Sequence, residues 1–310
     1  MAILIYSENS GLGLELLTAA RVIAADIGTE IKALCLNDEK QAEDLAAAGV
    51  KTYLIKNNAI NLADTASVAG ALEKAAGQLG VSMVLLGSNR RGKELAGRLA
   101  QKLDAGCLTD VNGLQVINGK VQCTRNTLGG ATIATQQIES ERQVIALAPR
   151  SFGEAATIQG GGIVQELTIE SKASPIKVIA SRNKAGDIAD IEAADILVVI
   201  GQGMEKEDMI LAESIAKILH GEIACSKPVA TDKKWLTEDR IVGLSGKKCK
   251  PQLAIIMGVS GQVQFTVGIR DAHTIVAINN DENAYIHQMA DYSMVADLKE
   301  ILPQLNKALD

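Results

Sequence analysis

Short apolar runs and helix-length amphipathic stretches alternate through the first hundred residues, and this alternation leaves few folds open to the chain. Strands are expected at residues 2–6, 31–36, 52–55 and 83–87, with helices at 12–25, 39–48, 63–79 and 92–103 between and after them. Units of this kind close by right-handed crossovers onto a parallel sheet that is buried on both faces. The pattern changes after Asp110. Between residues 111 and 149 short runs rich in Thr, Ile and Gln surround the turn signals INGK and LGG, which predicts antiparallel hairpins beside the sheet.

The glycine run in QGGGIVQ, the Pro-containing ESKASPIK and the weakly patterned NKAGDIADIEA then interrupt the apolar periodicity, placing a boundary near residue 185. A second series follows, with strands at 196–200, 222–225, 253–257 and 274–279 and helices at 207–219 and 297–309. The expected fold is therefore α/β, with two doubly wound, Rossmann-like parallel-sheet domains. Residues 1–185 form the first, with added antiparallel hairpins, and residues 186–310 the second. A chain of 310 residues is long enough to bury two such cores.

Composition narrows the function. The 31 Lys and Arg against 37 Asp and Glu give a net charge of −6 with no basic block, which argues against nucleic acid as a partner. No apolar run approaches the roughly 18 to 20 residues of a membrane span, so no membrane insertion is expected. Met1 leads directly into AILIY, leaving no room for a signal peptide and pointing to the cytoplasm. Cys35, Cys107, Cys123, Cys225 and Cys249 are widely spaced with no C-x-x-C pair, and read as buried small hydrophobes in a reducing compartment. His220, His273 and His287 stand in no nucleophile or metal constellation, so neither catalytic residues nor a metal site is expected. Trp235, the only tryptophan, suits an anchor for a loop or interface.

In a doubly wound sheet, ligands lie beyond the carboxyl ends of the strands. In the second half those ends are followed by Gly201-Gln202-Gly203, by Ser226-Lys227-Pro228, by GVSGQVQFTVG and by Asn279-Asn280-Asp281, with the loop VGLSGK in between. The glycine-rich stretch at 258–268 has two explanations: a tight packing corner, or backbone left bare for phosphate. Ser245 and Ser260 suit turn or helix capping as well as ligand contact.

The run ACSKPVATDKKWLTEDRIVGLSGKKCKPQLAIIMGVSGQVQFTVGIRDAHTIVAINNDENAYIHQMADYSMVADLKEILPQL resembles the carboxyl-terminal FAD domain of the electron-transfer flavoprotein alpha subunit. SNRRGKELAGRLAQKLDAGCLTDV is similar to the amino-terminal domain of the same family. The resemblance implies a heterodimer with a beta subunit, one bound FAD, and electron transfer between a flavin dehydrogenase of the acyl-CoA type and a redox acceptor. It makes the chain a carrier rather than an enzyme with its own substrate. It places Ser226 and Lys227 beside the flavin, and Val242, Gly243, Leu244 and Ser245 in a loop that bonds the flavin and the neighbouring chain. Ser260, Gly261, Gln262, Val263 and Gln264 match the segment that cradles the pyrophosphate at a helix start, while Asn279, Asp297 and Leu298 match positions near the adenosine.

Three residues depart from the family pattern. Gln202 replaces an arginine and removes a charge-assisted bond. Lys227 replaces an arginine and keeps the charge without the planar fork. Phe265 replaces a histidine and cannot donate a hydrogen bond to the ring. Losing one charged partner costs about 1.5 to 3 kcal/mol, which the many other contacts of a ligand as large as FAD can absorb. The competing reading is a flavin-poor assembly subunit that keeps the FAD-domain fold. A stand-alone NAD-type dehydrogenase is disfavoured, because neither half carries the complete glycine fingerprint with its acidic ribose ligand.

Overall fold

In the computed structural model, which describes residues 2–130, 132–158, 161–180 and 190–309, every residue of strand β1 (Ala2–Tyr6) is buried. Its alternating side chains divide between two cores. Leu4 and Tyr6 join helices α3 (Thr65–Gln78) and α4 (Arg90–Leu103) on one face, and Ile3 and Ile5 join α1 (Ser10–Ile27) and α2 (Glu39–Ala47) on the other. That division follows from the period of two along a strand, and it requires an apolar residue at every position. The four helices start at short polar side chains. Asn9, Asp38, Asp64 and Asn89 accept the backbone N–H of Leu12, Gln41, Ala66 and Gly92 at 2.7 to 2.9 Å. Such caps stabilise a helix by about 1 kcal/mol each.

The chain divides into two units, Met1–Ser181 and Arg182–Asp310, and the boundary expected near residue 185 lies outside the described residues. The first unit holds β2 (Glu30–Leu36), β3 (Lys51–Ile55), β4 (Met83–Gly87), β5 (Gly106–Ile117), β6 (Lys120–Thr127), β7 (Thr132–Gln137), β8 (Gln143–Leu147) and β9 (Val164–Glu166). Its sheet runs β7-β6-β5-β8-β4-β1-β2-β3-β9. The antiparallel arms expected after Asp110 are β5, β6 and β7. Two strands depart from the sequence reading, the first from this expectation and the second from the reading of the glycine run as an interruption. β8 is no hairpin arm but lies parallel between β4 and β5, where its apolar VIAL is buried on both faces. The glycine-rich stretch read as a separator leads into β9, which pairs in parallel with β3.

The second unit is a five-stranded parallel sheet in the order β11-β10-β12-β13-β14. Its elements are β10 (Ile196–Ile200), α5 (Met209–Ile218), β11 (Glu222–Cys225), α6 (Lys227–Thr231), β12 (Leu253–Met257), α7 (Val263–Thr266), β13 (Thr274–Asn279), α8 (Ile286–Met289), β14 (Tyr292–Val295) and α9 (Leu298–Leu309). Leu197, Val199, Ala254 and Ile256 face one core. Val198, Ile200, Ile255 and Met257 face the other, where Ala212 and Ile215 of α5 and Leu298 and Leu302 of α9 cover them. From β10 the chain passes to β11 on one side and then returns to β12 on the other. The carboxyl ends of β10 and β12 therefore flank the point where strand order reverses, the usual crevice for a ligand. Among the described residues no helix is long and apolar enough to cross a membrane.

Candidate functional site

At that crevice the two strand ends meet backbone to backbone. Gly201 N–H donates to Met257 O at 2.7 Å and Gly203 N–H to Gly258 O at 2.9 Å. A Cβ on Gly201 would stand 2.1 Å from Gly258 O, and Gly258 itself has φ +64. Three residues on, Gly261 has φ +83, and a Cβ there would lie 2.3 Å from Ile286 N. The glycines of this stretch thus answer to close packing, which is the first of the two explanations drawn from sequence.

The amides beside those glycines behave differently. Among the described residues, the N–H groups of Ser260, Gly261, Gln262, Val263 and Gln264 donate to no acceptor, and the first that does is Phe265, to Gln262 O at 2.9 Å. Ser260, Gln262, Val263 and Gln264 are exposed. A run of unpaired amides in a turn with left-handed backbone is suited to an anion. The helix expected to begin here, α7, is only four residues long, so the amides themselves and not a long helix dipole supply the attraction.

Ser226 closes β11 and precedes α6. It is only 8% exposed, and its Oγ has no hydrogen-bond partner among the described residues. Its N–H donates to Ile200 O at 3.0 Å, so the backbone is fixed while the hydroxyl remains unsatisfied. Such a buried orphan is uncommon in native proteins and points to a missing partner. Lys227 beside it is exposed. Burial pushes the neighbouring Cys225 thiol up to about 12, which keeps it protonated and inert.

The loop at 242–247 ties these places together. Val242 N–H donates to Cys225 O at 2.9 Å, Gly243 N–H to Lys247 O at 3.0 Å, and Leu244 N–H to Gln264 O at 2.7 Å. The turn therefore spans from the end of β11 to α7, holding exposed Leu244 and Ser245 outward. Phe265 is buried at 7% exposure in the core with Val242 and Ile286.

A second group gathers at the switch point. Gly203, Glu205, Asp208, Gly258, Asn279, Asn280, Asp297 and Lys299 line a cleft of about 110 Å3. Asn279 is buried, and its side chain is engaged at both ends, with Val259 O and with Asp281 N–H. Asp297 Oδ1 accepts Lys299 N–H at 2.9 Å and caps α9, while Leu298 is packed into the core. Gln202 is exposed on the loop after β10. The sequence reading did not single out Lys299, which pairs with Glu205 at 2.9 Å across the cleft, or Lys233, whose Nζ binds the carbonyls of Gln202 and Met204. Neither belongs to a motif. Only their place in the tertiary fold draws notice to them.

Comparison with known proteins shows the family. The chain matches the electron transfer flavoprotein domain over residues 10–196 and the electron transfer flavoprotein FAD-binding domain over residues 190–270. The second match includes Ser226, the 242–245 loop and the bare amides, and ends before Asn279 and Asp297. Over 310 residues the chain is 34% identical to Protein FixB of Escherichia coli O1:K1 / APEC, of Escherichia coli O157:H7 and of Shigella dysenteriae serotype 1 (strain Sd197), spanning 98% of this chain and 97% of each relative. Likeness to solved structures is loose, as with MurG of Acinetobacter baumannii at a TM-score of 0.30 and 12% identity over 89% of this chain and 71% of that one. On the two domain matches and the full-length identity, the chain belongs to the electron transfer flavoprotein alpha-subunit family.

Proposed function

We propose that this chain binds one FAD in its second unit, pairs with a beta subunit, and carries electrons from a flavin dehydrogenase of the acyl-CoA type to a redox acceptor. The observation that carries the reading is the pairing of five unbonded amides at 260–264 with the buried, unpartnered hydroxyl of Ser226, all within the stretch that matches an FAD-binding domain. FAD supplies the electron-accepting chemistry when bound, and the protein supplies binding, orientation and electrostatics.

Within that reading the amides of residues 260–264 take the diphosphate, because they offer donors without the cost of desolvating a buried charge. Ser226 donates to the ring or its side arm, and Lys227 adds a positive charge there. The loop at 242–245 borders the ring and presents Leu244, 63% exposed, toward the beta subunit. The cleft at Asn280 and Asp297 is rich in acceptors and suits ribose hydroxyls better than phosphate. Phe265 donates nothing to the ring, so negative charge on a reduced flavin is held less firmly than a histidine at that position would hold it.

The test is co-expression with the partner subunit. The expected product is a yellow heterodimer whose released cofactor has the mass of FAD. A heterodimer that stays colourless after loading with FAD would support instead the flavin-poor assembly subunit, for which the packing of Gly201, Gly258 and Gly261 is explanation enough.

A further inference from the structure

The stretch DKKW at 232–235 follows α6, and its first lysine reaches the loop after β10. Lys233 Nζ donates to Gln202 O at 2.8 Å and to Met204 O at 2.9 Å, and stands 4.1 Å from the centroid of the Trp235 ring. The amides of the same loop are taken up inside the fold, Gly201 by Met257, Gly203 by Gly258 and Met204 by Gly201. The loop thus gives three of its N–H groups to backbone carbonyls and two of its own carbonyls, those of Gln202 and Met204, to one ammonium. Among the described residues no carboxylate lies within ion-pair distance of Lys233, in contrast to Lys299 and Lys247. Two carbonyl dipoles and a ring face orient an ammonium without cancelling its charge. The adjoining cleft carries Glu205, Asp208 and Asp297, and its one lysine, Lys299, is already paired with Glu205.

The geometry points to Lys233 as a positioning residue for the diphosphate of the bound dinucleotide. It sets the shape of the 201–204 loop, which is bonded to Met257 and Gly258 just before the amides at 260–264, and brings one uncancelled positive charge to that corner, beside a cleft whose carboxylates suit ribose and not phosphate. This inference rests on the FAD reading and extends it to a residue outside every strand-end motif. A neutral side chain in its place loses the charge. Arginine keeps the charge and can still donate to both carbonyls.

The test uses the full-length heterodimer stripped of flavin, with Lys233→Met, Lys233→Gln or Lys233→Arg, titrated with FAD at low and high salt. Loss of this charge and of the hold on the loop is expected to weaken FAD by about tenfold or more in the Met and Gln variants and to flatten the salt dependence of binding, with Arg within about threefold of wild type. Glutamine keeps a donor for the carbonyls, so it carries the test if the Met variant does not fold. Neutral variants that bind FAD as tightly as wild type with an unchanged salt response overturn the inference, as does an Arg variant no better than Met. A wild-type heterodimer that takes up no FAD overturns the underlying reading along with it, whereas wild-type uptake beside unaffected variants removes this inference alone.

Discussion

Asn279 Nδ2 donates to the carbonyl oxygen of Val259 across 2.8 Å, fastening the end of β13 to the corner that follows β12. Its Oδ1 accepts Asp281 N–H at 3.0 Å, so the side chain is spent on the protein from both ends. The first bond is made away from water, where an unpaired polar group costs about 1 to 3 kcal/mol. Asn279→Asp keeps the acceptor but turns a carboxylate oxygen toward the Val259 carbonyl. The second unit is expected to lose about 2 to 3 kcal/mol, read as a lowered urea midpoint. An unchanged midpoint would show that this fastening is dispensable.

Gly261 and Ser260 are neighbours with opposite expectations. At Gly261 the backbone has φ +83 and the path of a Cβ is blocked by Ile286 N at 2.3 Å. Gly261→Ala is expected to cost about 3 kcal/mol, since neither strain nor backbone overlap can be relieved by a side-chain rotation. Ser260→Ala, at an exposed position, is expected to stay within about 0.5 kcal/mol of wild type. Thermal unfolding of the two variants side by side tests the contrast, and equal midpoints would refute it.

The central strands were legible because a strand buried on both faces has to be apolar at every position, as AILIY, ILVVI and LAIIM are. The edge strand β14 was not, because its four residues YSMV are all exposed and answer to neither core. β8 was misread because its VIAL follows polar antiparallel arms, and nothing local distinguishes a parallel partner from a hairpin arm. Helices α6, α7 and α8, at four or five residues, are too short to show a helical period. At the site, the bare glycines at 201, 258 and 261 stood out. Whether they served packing or a ligand depended on where each amide points, which is a property of the tertiary fold. Lys233 and Lys299 were invisible for the same reason.

Glu15 on α1 gives the first unit a pH dependence. Burial raises its carboxyl above the ordinary 4.5, and the N–H groups of Arg150, Phe152 and Ser151 draw it back only in part. Its Oε2 has no partner among the described residues. The folded chain therefore holds this proton more tightly than the unfolded chain does. The stability it contributes is complete below about pH 4.5 and is lost as pH rises through the raised folded value. Glu15→Gln cannot ionise and places an amide nitrogen or oxygen where the orphan oxygen lies. It is expected to match wild type near pH 4 and to exceed it by about 1 kcal/mol near pH 8, a gap read from urea midpoints across pH. A difference that does not widen with pH would exclude Glu15 as its source.

Ser226 separates folding from ligand binding most directly. Its hydroxyl is buried without a partner among the described residues, so the flavin-free protein carries the desolvation cost of that group and receives no bond from them in return. Ser226→Ala removes the cost while leaving the backbone bond to Ile200 O in place. The flavin-free heterodimer should be unchanged or more stable by up to about 1 kcal/mol. If the hydroxyl serves FAD, the same substitution should weaken FAD binding by about tenfold, so that stability and affinity move in opposite directions. Denaturation of the flavin-free heterodimer and its titration with FAD, run on one preparation, test both halves. Destabilisation without loss of affinity would mean that the hydroxyl finds its partner within the protein, and would remove Ser226 from the flavin site.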